Sequence, residues 1–258
     1  MRLFNASSLF ENADKEISKF SDSPEKLRNK IIEIKNALLQ MYKFKVYNQP
    51  KDFTENSYII ATNHLTDSDA PLIMSYYYDV MKDVKSEYPV LFVFAKENCF
   101  NGVSISQNLL PILEMEKVFA VDRTSLNGSI VAIRAAQRWF AEGEKPKHFL
   151  IFAQGTIYDI NKDKAEDIER GAFWLAKLLG IPVLPAFIEQ AIEGEENRLI
   201  FGDPISVPSN TKDLDEYKQV WIDRVIAAEN ELGKVTGRPA RETVLDADHQ
   251  VRKKIQAK

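Results

Sequence analysis

One histidine in this chain stands in a position to do acid–base chemistry with a neighbour. The chain has 258 residues, three of them His and 38 of them Asp or Glu. In the run Asn63-His64-Leu65-Thr66-Asp67-Ser68-Asp69-Ala70-Pro71, His64 has a carboxylate five positions on. His148 and His249 have Ala153 and Lys254 at the same offset. An imidazole whose Nδ1–H is held by a carboxylate keeps Nε2 as the free base, and the carboxylate stabilises the imidazolium that forms. Such a pair can take the proton from a hydroxyl or a water as it attacks an acyl carbon.

The spacing limits the geometry. Five positions on a continuous helix put two side chains about 140° apart, so the chain must turn between His64 and Asp69. A strand end followed by a helix start supplies that turn. The apolar run Tyr58 to Thr62 reads as the strand, and Asp69, two residues before Pro71, suits a position at or near the helix N-cap. Two other readings stay open at this level. Asp67 is a rival partner, and a capped helix beside a structural histidine would leave the same residues in place.

The rest of the chain supplies the scaffold. Strand-like runs are Tyr58 to Thr62, Val90 to Ala95, Val118 to Val121, Phe149 to Ala153, Val183 to Ile188 and Arg198 to Phe201. Helix-like runs are Pro71 to Val84, Ser106 to Leu113, Gly128 to Glu142, Lys164 to Leu179, Leu214 to Leu232 and Arg238 to Gln256. This alternation, with several strands apolar throughout, predicts an α/β fold: a central, mostly parallel mixed sheet covered by helices on both faces. The first 45 residues read as helical, with Leu27, Ile31, Ile34, Leu38 and Met41 spaced by threes and fours after Ser23-Pro24. The expected division is an N-terminal helical segment over 1–48, packed on or beside the core, and an α/β domain over 49–258. Ligands of such sheets sit beyond the carboxyl ends of the strands, so the polar residues there are the ones to weigh.

Composition excludes several classes. Hydrophobic residues are 45% and charged residues 28%, with a net charge of −4, which argues for a globular chain and against nucleic-acid binding. Cys99 is the single cysteine, so no internal disulfide forms, and with no signal-type leader the expected location is the cytoplasm. No run reaches the 18 apolar residues expected of a membrane-spanning helix. No clustered His and Cys ligands suggest a metal, and no cofactor is expected.

Four blocks in order carry a resemblance. Asn63-His64 with Asp69 is similar to the N-H-x4-D signature of the glycerol-phosphate and lysophosphatidic acid acyltransferase family. Val118-Phe119-Ala120-Val121-Asp122-Arg123 resembles its second block, an apolar strand ending in arginine. Ile151-Phe152-Ala153-Gln154-Gly155-Thr156 resembles the third, usually F-P-E-G-T-R, and Gly180-Ile181-Pro182-Val183-Leu184-Pro185 the fourth. Arg170-Gly171-Ala172 resembles the stretch before the fourth block. The similarity spans roughly Tyr58 to Ile205.

The resemblance implies an O-acyltransferase in which His64 is the general base and Asp69 its orienting partner. The acyl donor would be a thioester of coenzyme A or of acyl carrier protein, and the acceptor a glycerolipid hydroxyl, with lysophosphatidic acid and glycerol 3-phosphate first. Substrate contacts would come from Asn63, Lys96, Arg123, Gln154, Gly155, Thr156 and Arg170. A guanidinium such as Arg123 can grip a phosphate at two points, and a glycine after a strand can offer backbone N–H groups to an anion. Surface ion pairing and a plain strand-to-loop turn are the other readings of those two features. Gln154 stands where the family has glutamate, Ile157 where it has arginine, and Ala153 where it has proline. These changes leave the proton-transfer pair intact and alter the acceptor side. A thioester hydrolase using Cys99 or Ser104, and a lipid-binding protein without activity, are the competing classes. The basic amphipathic stretch from Glu25 to Lys45 can either lie on an anionic membrane, as on the inner face of the plasma membrane, or pack its apolar stripe on the sheet.

Overall fold

The computed structural model describes residues 44–64, 90–95, 118–121, 126–155, 167–189 and 197–237, with Asn29, Asp69, Ile73, Tyr76, Tyr77 and Val80. In chain order the elements are β1 (Phe44–Tyr47), β2 (Ile59–Thr62), β3 (Val90–Ala95), β4 (Val118–Val121), α1 (Leu126–Ala141), β5 (His148–Phe152), α2 (Gly171–Leu179), β6 (Val183–Glu189), β7 (Asn197–Phe201) and α3 (Glu216–Thr236). They fall in two compact units. One comprises Met1–Lys43 with Ala70–Glu144, the other Phe44–Asp69 with Lys145–Lys258. Residues 44–47, expected at the end of the helical segment, are a strand paired into the sheet. The expected amphipathic helix before it, and the helices expected over 106–113 and 238–256, lie outside the described residues.

In the second unit five strands run in the order β1-β7-β6-β2-β5. Ile59 sits beside Val183 and Phe149 in parallel register, Phe44 beside Asn197 likewise, and only β6 and β7 are antiparallel, with Ala186 opposite Phe201. The sheet is therefore mixed and mostly parallel, and the fold is α/β. β2 and β6 are buried along their whole lengths, which is why neither shows polar alternation. Pro185 stands inside β6, a position proline seldom tolerates. Here β7 has already ended at Phe201, and the Gly202 N–H donates to the Pro185 carbonyl (2.9 Å), so the missing N–H falls in the gap between the β7 ladder and the antiparallel bridge of Val183 with Ile205.

The helices cover the middle of this sheet. α2 packs on β2 and β6 and ends at Gly180, whose φ of 66° lets its N–H turn back to the Ala176 carbonyl (2.9 Å). It begins at Gly171, later than the run from Lys164 suggests. α3 packs on β6 and β7. Its Trp221 is fully buried and donates from Nε1 to the Ala61 carbonyl of β2 (3.1 Å). α3 passes so close to the end of β7 that a Cβ on Gly202 would lie 3.0 Å from the Arg224 carbonyl oxygen. In the other unit β3 and β4 pair in parallel, Phe92 beside Val118, and α1 packs on β4. Ile73, Tyr76 and Tyr77 of that unit are helical and buried, at helical spacing.

His148 opens β5 and is fully buried, stacked on Phe53 (ring centroids 4.7 Å) and Tyr58 (5.8 Å). Burial pushes its pKa from 6.5 down to about 3, against a smaller upward pull from a backbone hydrogen bond at Phe53. The folded chain thus holds a neutral ring where the unfolded chain binds a proton below about pH 6.5. Its contribution to stability is complete above that pH and is lost as pH falls from 6.5 toward 3. The loss is up to about 1.4 kcal/mol per pH unit, so about 2 kcal/mol between pH 6.5 and 5. Urea unfolding at the two pH values should show this fall in the wild type and a clearly smaller one in His148→Phe. Equal falls in both would contradict the assignment.

Candidate active site

β2, β5 and β6 run parallel, so their carboxyl ends open on one edge of the sheet. Thr62 and Phe152, the last residues of β2 and β5, lie side by side there, and on its other side Thr62 is level with Ala186 of β6, which runs on to Glu189. Each strand then contributes something different to the residues just beyond.

β2 continues into Asn63 and His64. Asn63 is fully buried, and its amide reads both main-chain groups of one residue on β6. Nδ2 donates to the Ile188 carbonyl (3.0 Å), and Oδ1 accepts from the Ile188 N–H (2.7 Å). The Thr62 hydroxyl adds a third bond to Oδ1 (3.2 Å). The side chain thus extends the β2–β6 ladder past the point where backbone pairing ends. An amide has one donor end and one acceptor end, which is the pattern an N–H and a C=O together demand. Asn63 is committed to the protein frame.

His64 follows directly. Its Nδ1–H donates to Asp69 Oδ2 at 3.1 Å. Asp69 is helical and fully buried, while the His64 side chain keeps 16% of its surface exposed. The two residues the spacing singled out do meet, and among the described residues no hydrogen bond engages Nε2. The rival Asp67 lies outside the described residues. β5 supplies the floor: the Phe152 ring stacks on the imidazole with centroids 3.9 Å apart and planes 14° from parallel. A ring stacked on one face and bonded at Nδ1 has little freedom about χ2, so Nε2 points in one direction.

β5 then turns. The Gly155 N–H donates to the Phe152 carbonyl (2.9 Å), with Gly155 at φ 69°. That N–H closes the strand-to-loop turn, the plainer of the two readings of this glycine. The Ala153 N–H donates to the Thr62 carbonyl (2.7 Å), carrying the β2–β5 pairing one step further. Gln154 is buried, and its Oε1 accepts from the His64 main-chain N–H at 3.0 Å.

Of the remaining residues expected at the site, Arg170 stands just before α2, largely exposed, with Nε donating to Asp215 Oδ1 (2.8 Å) and a second bond from Nη2 to Oδ2. Asp215 also pairs with Lys218 (3.0 Å), and its carboxyl is held below the usual range chiefly by the Arg170 hydrogen bond. This guanidinium ties the start of α2 to the start of α3. Lys96, Arg123 and Thr156 lie outside the described residues. Among the described residues no group of three or more His, Cys, Asp or Glu side chains is placed to hold a metal ion, and no helix is long and apolar enough to cross a membrane. Phe152 and Ile188 were not singled out by chemistry. A stacking phenylalanine looks like any core residue, and the groups Ile188 offers belong to every residue.

Replacing Asn63 by Leu keeps the branched heavy-atom skeleton and strands two buried main-chain groups of Ile188. At about 1–3 kcal/mol for each, unfolding free energy should fall by about 2–6 kcal/mol in urea titrations. Arg170→Ala, which breaks an exposed pair, should cost about 1 kcal/mol or less. An Asn63 loss no larger than that of Arg170 would contradict the clamp. In comparisons with known proteins, no family model and no curated protein matches the chain. Among solved structures it is similar to the crystal structure of the 1-acyl-sn-glycerophosphate (LPA) acyltransferase PlsC from Thermotoga maritima, with a TM-score of 0.52 and 15% identity over 92% of this chain and 98% of that one. At that identity the likeness is one of fold, and the mixed α/β sheet with its helices is shared across nearly the whole length of both chains.

Proposed function

We propose that this chain is an O-acyltransferase that moves an acyl group from a thioester to a hydroxyl of a glycerolipid acceptor. The observation that carries the reading is the His64 Nδ1–Asp69 contact of 3.1 Å at the carboxyl edge of the parallel strands, with Nε2 open and the carboxylate fully buried. The fold shared with a lysophosphatidic acid acyltransferase supports the same class of chemistry.

The acceptor hydroxyl hydrogen-bonds to His64 Nε2. As its oxygen attacks the thioester carbonyl, the proton passes to Nε2, and Asp69 stabilises the resulting imidazolium. The tetrahedral intermediate collapses with loss of the thiolate. Nε2 returns the proton to that sulfur, leaving an oxygen ester and a free thiol. No proton is gained or lost in the cycle, and neither a metal nor a cofactor is called for. The donor is an acyl-coenzyme A or an acyl carrier protein thioester, and lysophosphatidic acid and glycerol 3-phosphate head the acceptors. Lys96, Arg123 and Thr156 are the candidates to hold the acceptor phosphate. The basic segment before Lys45 is the candidate contact with an anionic membrane, which would make the enzyme a peripheral one on the cytoplasmic side.

The test is labelled acyl thioester incubated with a panel of acceptors, phosphorylated and not. Transfer should require an acceptor. His64→Ala should lower kcat by about 10²- to 10⁴-fold with folding retained, and Asp69→Asn by about 10²-fold or more. Thioester consumption that is independent of acceptor would instead mark a hydrolase. Near-normal transfer in His64→Ala would sink the mechanism.

A further inference from the structure

We infer that Gln154 is a positioning residue for His64 and not a contact for the acceptor, an inference that rests on the acyl-transfer reading of the same site. Three observations point this way. The Gln154 Oε1 accepts the His64 main-chain N–H at 3.0 Å, across a sequence separation of 90 residues. The side chain is 6% exposed, so it presents almost no surface to a ligand. And it stands two residues after Phe152, whose ring lies 3.9 Å from the imidazole.

His64 lies just past the end of β2, where the ladder stops supplying partners for the backbone. A buried N–H without a partner at this point would draw the segment toward any other acceptor and swing the imidazole with it. Asn63 pins the residue before to β6, and Gln154 pins His64 itself to the end of β5. With the backbone held, Phe152 and Asp69 set the ring. Asn63 ties β2 to one neighbouring strand and Gln154 to the other, so the histidine backbone is fixed from both sides. The Gln154 oxygen is thereby committed to the His64 main chain, and the inference assigns the reading of the acceptor to other side chains.

Two measurements test this, and they separate it from the proposed reaction. The first is kinetic. Gln154→Met keeps the length and removes the acceptor, and it should lower kcat by about 10²-fold while KM for donor and acceptor stays within about twofold. Gln154→Glu restores an oxygen at the same reach and should recover most of kcat. A rise in KM for the acceptor with kcat unchanged would overturn the inference in favour of substrate binding. Full activity in Gln154→Met would overturn it too, and both results leave acyl transfer standing. The second measurement needs no activity. In protein labelled with ¹⁵N-histidine, three main-chain amides are expected, since the chain has three histidines. The His64 amide should exchange slowly with solvent in the wild type and in Gln154→Glu, and much faster in Gln154→Met, with the His148 amide unchanged as the internal control. Equal protection of His64 in all three proteins would overturn the inference whatever the reaction proves to be.

Discussion

The parallel placement of β2 between β5 and β6 is the constraint on which the site depends. Two parallel neighbours bring three strand ends to one edge of the sheet. The chain leaving β2 therefore emerges between two others and can be tied to both. It is tied to β6 through Asn63 and to β5 through Gln154 and the Ala153 N–H. An antiparallel neighbour would have put a strand start at that edge, with its polar groups facing differently. The burial of β2 on both faces is what makes the placement unique, because four apolar or small residues covered by helices have no solvent-facing alternative.

Polar groups at this edge are handled by pairing and not by exposure. Asn63 and Asp69 are fully buried, and Gln154 nearly so. Each of them meets a group of complementary type: an amide meets an N–H and a C=O, a carboxylate meets an imidazole N–H, a carbonyl oxygen meets a backbone N–H. Buried polar groups that are matched in this way hold one geometry, since every departure from it leaves a group without its partner. The imidazole is the member that retains access to solvent, and it is the one whose free nitrogen has chemistry to do. His148 shows the opposite use of the same side chain. Stacked on aromatic rings and wholly buried, it is held neutral and serves the core.

Much of the scaffold was legible in the residues. The strands over Val90–Ala95 and Val118–Val121 fall where the apolar runs predict, β5 is shifted by one residue at both ends, and β2, β6 and β7 differ by one residue at one end. Their signal is strong because buried parallel strands are apolar throughout. β1 was not legible: Phe-Lys-Val-Tyr is four residues long, and it follows a stretch with helical spacing. What makes it a strand is its pairing with β7, more than a hundred and fifty residues further on, which no local pattern records. The late start of α2 has a similar cause. Residues 167–170 are drawn out of the helix, with the Glu169 N–H donating to the Ala153 carbonyl at the end of β5.

For the site, residue types and spacing alone determined that His64 and Asp69 could form a proton-transfer pair and that the chain would have to turn between them. That much follows from covalent geometry and from the chemistry of the two side chains. Tertiary structure decided the rest. It brought the imidazole to 3.1 Å from the carboxylate and laid it on Phe152. It also gave Asn63 and Gln154 main-chain partners, where the family resemblance implied substrate contacts. The reason is physical. An amide side chain can serve a ligand or a backbone equally well, and only the arrangement of strand ends around it determines which of the two lies within reach.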